Sequence, residues 1–345
     1  MKILISQFSG SKLEHGGVHR HRQIKDVLSG DESLQAFSFD HDFYQILRLF
    51  TRYPFTFLKT IIFIIYFGKC YEMPWLRVVK ALITCGPIIT RISCDFNLKS
   101  AKIYCETSAD FSLLFCILVK KLMGSYQCIP HNVETLVPHD QSRRVSKSIF
   151  LLERDCYSMA LKVHCISKLD TYLVRIFGGN AVHLPYMSPP DVANYYHKIG
   201  LSRGTCIRKK DKIIVLGSVK NAPSELGMKR LLDNLRDHAK IKHNYIVCGF
   251  GTERFSEYHT DEINIMGTVS NAVLGGLLEG AKCVLINQAP TTGVLTRVIN
   301  LEHAKIPILI NDDYFQSGEL SSQYTKTYPT NNMSELDSYI GKILA

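Results

Sequence analysis

The chain has 345 residues, enough for two domains of ordinary size, and 46% of them are hydrophobic, so each domain can bury its own core. A net charge of +10 asks for an anionic neighbour, and the charge is uneven: residues 1–190 hold 23 Lys and Arg against 15 Asp and Glu (+8), residues 191–345 hold 18 against 16 (+2). With no zinc-finger spacing and no basic helix interleaved with aromatics, nucleic acid is set aside in favour of an anionic membrane surface.

The opening residues, Lys2 to Phe8, read as a strand, with no signal-peptide pattern ahead of them. A loop to Gly17 follows, then a helix from Val18 to Leu28. Gly16 and Gly17 thus open the first helix of a βα unit, either as a plain turn or as a loop whose amides face a ligand. His19, Arg20, His21 and Arg22 come next. Cations are unfavourable at a helix amino end, so this run is either a solvated first turn or a contact for an anionic group.

Leu34 to Phe39 is a second strand. Phe43 to Phe67 is apolar and aromatic, with Arg48, Arg52 and Lys59 interspersed and Lys69 just beyond. Its uninterrupted apolar run, Thr60 to Gly68, is far shorter than the roughly 20 residues of a membrane span. The segment reads as a buried helix or as an interfacial one. Leu82 to Ile92 contains strand-like runs, Lys102 to Thr107 is a strand and Phe111 to Met123 a helix.

Tyr126 to Ile129 reads as a strand running into Pro130, His131 and Asn132, with Glu134 just beyond. This places an imidazole and an amide at a sheet's carboxyl edge. A histidine there either caps the loop or polarises a reacting hydroxyl and moves a proton. Helices at Ile149–Leu161 and Leu169–Phe177 alternate with strands at Lys162–Ser167 and Val182–Pro185. The prolines of Met187-Ser188-Pro189-Pro190-Asp191 mark a linker. The expected domains are residues 1–186, a linker over 187–211, residues 212–330, and a C-terminal helix over 331–345.

In the second half, Lys212–Leu216 is a strand turning at Gly217 and Ser218, and Ser224–Ala239 a helix. The strand Asn244–Cys248 ends in Gly249-Phe250-Gly251-Thr252. Ile263–Met266 is a strand, Ser270-Asn271 an N-cap, and Ala272–Glu279 a helix. A βαβ crossover follows: strand Ala281–Ile286, a turn through Thr291, Thr292 and Gly293, a helix of about three turns, and strand Ile306–Ile310. Ligands of parallel sheets bind at the carboxyl ends of strands. Small residues there let a ligand approach, and Arg297, placed about one turn into the helix, brings a charge suited to phosphate or diphosphate. The alternative is a tight turn with a surface arginine. The eleven cysteines form no C-x-x-C, and Cys85, Cys94, Cys105, Cys128, Cys165, Cys248 and Cys283 lie in apolar or strand-like runs, as free thiols do in a reducing cytosol.

The order of these features resembles the GT-B glycosyltransferases, in particular the bacterial group 1-type (retaining, nucleotide-sugar-dependent) enzymes. The fragments that carry it are Ile129-Pro130-His131-Asn132-Val133-Glu134, Leu184-Pro185-Tyr186, Leu216-Gly217-Ser218, Gly249-Phe250-Gly251-Thr252-Glu253 and Thr291-Thr292-Gly293-Val294-Leu295-Thr296-Arg297. The resemblance implies an α/β chain of two doubly wound Rossmann-like domains facing across a cleft. It implies an N-terminal acceptor domain with His131 as the catalytic residue facing the sugar, and His19, Asn132 and Glu134 on the acceptor side. Gly16 and Gly17 would close over the diphosphate, and Gly217, Ser218, Gly249, Thr291, Thr292, Gly293, Arg297 and Asn300 would surround the donor.

No metal or other cofactor is implied, since helix amides and Arg297 neutralise the leaving diphosphate, and no Asp-x-Asp pair is present. The implied partners are a nucleotide sugar, a carbohydrate or lipid-linked acceptor and an anionic membrane; the place is the cytoplasm, with peripheral attachment to the inner face of the membrane. Two positions depart from the family's pattern: Asn300 stands where a ribose-binding Glu is usual, and Lys305 where a Gly is usual. Asn300 keeps open a non-catalytic binding or scaffold homologue. A nucleotide-sugar epimerase on the same fold is the third reading.

Overall fold

The structure, a computed structural model, describes residues 1–8, 16–30, 32–39, 43–97, 100–108, 110–137, 146–205, 211–237, 243–312, 323–330 and 332–342. The chain divides into two compact units. One is Met1–Leu136 with Val145–Met187 and Thr292–Val294; the other is Val137–Arg144, Ser188–Thr291 and Leu295–Ala345.

The first unit runs β1 (Lys2–Ser6), α1 (Gly16–Leu28), β2 (Leu34–Ser38), α2 (Phe43–Arg52), α3 (Pro54–Cys70), α4 (Trp75–Asp95), β3 (Lys102–Thr107), α5 (Asp110–Leu122), β4 (Gln127–Pro130), α6 (Lys147–Met159), β5 (Lys162–Cys165), α7 (Lys168–Ile176) and β6 (Ala181–His183). Its sheet is parallel, in the order β2-β1-β3-β4-β5-β6. A strand covered on both faces must be apolar throughout rather than alternating, as Ile3, Leu4 and Ile5 are, each fully buried. The order reverses between β1 and β3, and in open parallel sheets ligands bind at the carboxyl ends of the strands at such a switch point.

The second unit runs α8 (Pro190–Thr205), β7 (Lys212–Leu216), α9 (Ala222–Asp237), β8 (Asn244–Cys248), β9 (Ile263–Gly267), α10 (Asn271–Glu279), β10 (Ala281–Ile286), α11 (Thr296–His303), β11 (Ile308–Asn311), β12 (Thr325–Tyr328) and α12 (Met333–Lys342). The parallel order is β12-β11-β10-β7-β8-β9. Counted within the unit this is 3-2-1-4-5-6, the Rossmann order, with its switch point between β7 and β10. One core face gathers Ile213, Val215, Leu231, Leu235, Val247 and Leu285; the other gathers Ile214, Ile246, Val284, Val298, Leu301 and Ile308.

Several expectations are corrected. Leu82 to Ile92 is not strand-like but lies in the middle of α4. Its β-branched residues suggested strands, yet Val78, Ala81, Cys85, Ile88, Ile89 and Ile92 are buried at helical spacing, and packing against α3 and α5 overrides propensity. Residues 187–211 are not simply a linker, because Pro190 begins α8, where a proline is favoured at the first helical position. This helix packs on α10 and α11, and its buried Arg203 donates to the carbonyls of Leu278 (2.6 Å) and Ala281 (2.7 Å). The helix of the βαβ crossover has eight residues and starts at Thr296, not at Thr-Thr-Gly.

Phe43 to Phe67 is neither one helix nor wholly core. It forms α2 and part of α3, breaking before Pro54, and only Phe57, Thr60, Ile64 and Gly68 of α3 are buried. Cys94 is exposed, whereas Cys85, Cys105, Cys128, Cys165, Cys248 and Cys283 are buried free thiols.

Candidate functional sites

Each unit carries a cluster at its own switch point. In the second unit, β10 is followed by Asn287 and Gln288, both buried. The Gln288 backbone is clamped by Asn311 at the end of β11: its amide donates to Asn311 Oδ1 at 2.7 Å, and Asn311 Nδ2 donates to its carbonyl at 2.9 Å. The Gln288 side-chain oxygen accepts from Ser224 Oγ at 2.7 Å and from Arg297 Nη2 at 2.8 Å. Both terminal nitrogens of Arg297 also reach Ser224 Oγ at 3.2 Å. Arg297 is the second residue of α11, so it stands in the first turn rather than a turn inside. The guanidinium is therefore held at the carboxyl end of β10, beside the switch point.

Both polar atoms of the Asn287 side chain are buried without a hydrogen-bond partner among the described residues. An unsatisfied buried amide is costly and calls for an explanation, and a polar ligand at this edge supplies one.

Gly217 and Ser218 follow β7, and Gly249 follows β8. Gly249 has φ 133°, and a Cβ there would overlap the Gly217 carbonyl oxygen, so only glycine lets the two loops lie this close. Val219 N donates to the Phe250 carbonyl (3.0 Å), and Lys220 Nζ sits 4.2 Å from the Phe250 ring centroid. Asn300, a predicted donor contact, is buried in α11, and its Oδ1 accepts from Ser188 Oγ at 2.6 Å.

In the first unit the switch point holds a carboxylate between two imidazoles. Glu106, next to last in β3, is fully buried. Its Oε1 lies 2.5 Å from His131 Nε2 and its Oε2 lies 2.7 Å from His21 Nδ1. Burial would raise the Glu106 carboxyl, but the hydrogen bonds and charges of the two histidines outweigh it and hold it at about 2. Phe8 lies against the His131 ring, centroids 4.6 Å apart.

The basic run of α1 is not a solvated turn. Arg20 is fully buried, donating to the carbonyls of Leu184 (2.7 Å) and Pro185 (3.1 Å) and to Gln23 Oε1 (2.7 Å). Burial lowers its guanidinium to about 10. Gly16 and Gly17 begin α1, and His19 is half-buried in its first turns.

Further along, Asn132 Nδ2 donates to Glu134 Oε1 at 3.4 Å. Glu134 is buried, and burial followed by the neighbouring Glu153 charge pushes its carboxyl up to about 8. Glu153 accepts from the Glu134 and Thr135 amides (2.6 and 2.8 Å), the Thr135 hydroxyl and Tyr157 (2.8 Å). Thr292, Gly293 and Val294 belong to this unit. Thr292 Oγ1 donates to the Val133 carbonyl and accepts from its amide, both at 3.1 Å. The Gly293 amide donates to Asp170 Oδ1 at 3.3 Å, and its φ of 81° and contact with Asn132 leave no room for a Cβ. Thr291, also a predicted donor contact, is half-buried in the same loop and falls in the second unit.

Sequence reasoning did not single out Glu106, Ser224, Asn287 or Gln288 as site residues, and it read His21 only as part of the basic run, a solvated turn or a contact for an anionic group. Glu106 had a signal: a carboxylate closing an otherwise apolar strand, Ile103-Tyr104-Cys105, requires a buried partner. Ser224 and Gln288 had none, since 64 residues separate them. For a metal, the described residues offer Cys116, Cys128 and Cys156, with Sγ atoms within 4.8 Å of one another. All three are fully buried; burial pushes the Cys116 and Cys156 thiols well up, whereas at Cys128 the hydrogen bonds with Cys116, Cys156 and Thr107 outweigh burial and hold the thiol well down.

No family model and no curated protein sequence matches this chain. Solved structures do. Sucrose-phosphate synthase from Thermosynechococcus elongatus superposes with a TM-score of 0.65 at 11% identity, over 99% of this chain and 89% of that one. The α,α-trehalose 6-phosphate synthase from Burkholderia multivorans gives 0.63 at 8% identity, over 100% and 88%. HepE from Anabaena in complex with UDP-glucose gives 0.59 at 12%, over 100% and 90%. The likeness covers nearly the whole of each chain and establishes the fold, an α/β fold of two Rossmann-like domains as in the GT-B glycosyltransferases.

Proposed function

We propose that this protein transfers a glycosyl group from a nucleotide-diphosphate sugar to a carbohydrate or lipid-linked acceptor, in surface polysaccharide synthesis and without a metal. The observation that carries the reading is the Arg297 guanidinium, fixed by Ser224 and Gln288 at the Rossmann switch point of the second unit. A preorganised cation at that edge stabilises the charge that grows on a departing diphosphate. The structural neighbours support it: one of them was solved with UDP-glucose bound, and two are named as synthases of sugar phosphates. The test is release of nucleoside diphosphate from a panel of nucleotide sugars, with transfer followed on carbohydrate and lipid-linked acceptors in the presence of a chelator. No turnover with any donor, together with no thermal shift by any nucleoside diphosphate, rejects the reading.

Peripheral attachment to the cytoplasmic face of the membrane belongs to the same proposal. Among the described residues no single helix is long and apolar enough to cross a membrane; Tyr44–Arg52 and Pro54–Cys70 together have the length and apolarity but are bent by 113° at the break between them. These helices expose Tyr44 (81%), Phe55 (88%), Leu58 and Ile62 beside Arg48, Arg52, Lys59 and Lys69. Exposed aromatic and aliphatic groups among cations suit the boundary of an anionic bilayer, where each Lys or Arg is worth about 1 kcal/mol. Phe55→Ser should weaken co-sedimentation with anionic vesicles at low salt; equal binding to neutral vesicles, or none to either, rejects the attachment.

A non-catalytic binding homologue is the second reading. Asn300 favours it, because its side-chain oxygen accepts from Ser188 where the family's pattern has a ribose-binding carboxylate.

A further inference from the structure

We propose that Cys116, Cys128 and Cys156 hold one soft, closed-shell metal cation in the core of the first unit. The ion is structural and takes no part in the transfer step proposed above, so the inference stands without that reading.

The three sulfurs come from three elements: Cys116 lies on α5, Cys128 on β4 and Cys156 on α6. Their Sγ atoms all fall within 4.8 Å of one another, and those of Cys128 and Cys156 are 3.9 Å apart. Sulfurs bound to one ion at about 2.3 Å stand about 3.8–4.0 Å from each other, in tetrahedral or trigonal geometry. One edge of the triangle thus already has the spacing of a metal–thiolate set, and the other two need to close by at most about 1 Å.

Packing alone does not ask for this arrangement. A buried cysteine that serves as a small hydrophobe needs apolar neighbours, not other sulfurs. Here residues far apart in the chain, 28 positions in the case of Cys128 and Cys156, turn their thiols to one point. Thr107 Oγ1 lies 3.5 Å from Cys128 Sγ, and the Tyr126 hydroxyl donates to the Cys156 carbonyl at 2.5 Å, fixing the backbone that carries that sulfur.

The donor set selects the ion. Thiolates are soft ligands that favour copper(I) and zinc(II) over magnesium or calcium. All three residues are fully buried, and uncompensated charge at that depth is costly. Zinc(II) with three thiolates leaves one negative charge, and copper(I) with two thiolates and one thiol leaves the same. Zinc is almost always four-coordinate in structural sites. Cys105 is the sulfur placed to complete that set as a neutral thiol: it is buried, stands in register with Cys128 and is hydrogen-bonded to Cys116.

Loading exchanges protons for metal. Each sulfur that becomes a thiolate releases its proton to solvent and bonds to the ion, with no change of oxidation state. Because the folded unit covers the cluster, the ion enters as the chain folds.

The test uses the full chain carrying Cys70→Ser, Cys94→Ser and Cys206→Ser, which removes the exposed thiols and the one outside the described residues. This protein is refolded anaerobically under a non-thiol reductant with zinc(II) or with copper(I), dialysed against a chelator, and its metal counted. We expect one ion per chain of one of the two metals, with a sulfur-only shell at about 2.3 Å by X-ray absorption. With the free ion buffered at about a hundred times its Kd, Tm should rise by about 5–10 °C. Cys128→Ser and Cys156→Ser should lose the ion. Cys85→Ser should keep it, since that buried thiol of the same unit donates to the Phe111 carbonyl instead. Loss of zinc in Cys105→Ser marks the four-sulfur form, and retention of copper there the three-sulfur form; both carry the proposal. The absorption spectrum needs none of these further variants and decides the matter if they fail to fold. No bound ion of either metal, oxygen or nitrogen in the first shell, or equal metal content in Cys128→Ser and Cys85→Ser overturns the inference.

Discussion

Removing the Arg297 guanidinium should weaken nucleoside-diphosphate binding without unfolding the second unit. The side chain is half-buried and already held in place by Ser224 Oγ (3.2 Å) and Gln288 Oε1 (2.8 Å), so little side-chain entropy is lost when a ligand arrives. A hydrogen bond to a charged group is worth about 1.5–3 kcal/mol, so Arg297→Ala should raise the Kd for uridine diphosphate by about 10- to 150-fold. The fold should lose little, because Ser224 and Gln288 still bond each other at 2.7 Å and Asn311 still clamps the Gln288 backbone. We expect a stability cost of about 1 kcal/mol, the size of a typical net hydrogen bond. Calorimetric titration gives the Kd and thermal melting the stability, with Arg297→Lys as an intermediate case that keeps the charge and loses the fork. An unchanged Kd, or a Kd loss matched by collapse of the melting transition, refutes Arg297 as the diphosphate contact.

Three further outcomes follow from backbone and burial. Lys305 sits at φ 52°, so Lys305→Gly should raise stability by about 1 kcal/mol in denaturant melts; no gain would mean the Lys305 side chain offsets its own strain. Gly249→Ala adds a Cβ onto the Gly217 carbonyl and should cost about 2–4 kcal/mol, visible as a lower Tm and weakened nucleotide binding; a wild-type melt would contradict the close approach of these loops. Glu134 has a folded pKa of about 8 against 4.5 for the free group, so its contribution is fully present below pH 4.5 and is lost as pH rises through about 8. Glu134→Gln should therefore gain Tm relative to the wild type steadily between those pH values, and a pH-independent difference would show that Glu134 is ionised in the folded protein.

The sequence determined the strands and most helices because parallel strands buried on both faces must be continuous apolar runs. Lys102–Thr107, Lys212–Leu216, Asn244–Cys248 and Ala281–Ile286 are such runs and form strands with those bounds. Glycines read as loop residues also came through, as Gly249 and Gly293 adopt positive φ where a Cβ has no room. Alternating βα order then left a doubly wound fold as the natural packing. Where local propensity and tertiary packing disagreed, the sequence misled: the β-branched residues of 82–92 are helical because α3 and α5 cover that helix. Phe43–Phe67 stayed open between a buried and an interfacial helix because hydropathy does not say which face of a helix a neighbour covers.

The site residues divide the same way. His131 and Arg297 could be picked out as candidates because each lies just beyond the end of a strand or at the start of a helix, positions fixed by local pattern. Their partners were not. Glu106 meets His21 across 85 residues and His131 across 25, and Ser224 meets Gln288 across 64. Those distances close only when the strands take their places in the sheet, β1 beside β3 and β7 beside β10. Strand order is a property of how helices cover two sheet faces, and it is this order, rather than any local run of residues, that sets a carboxylate between two imidazoles and a guanidinium between a hydroxyl and an amide.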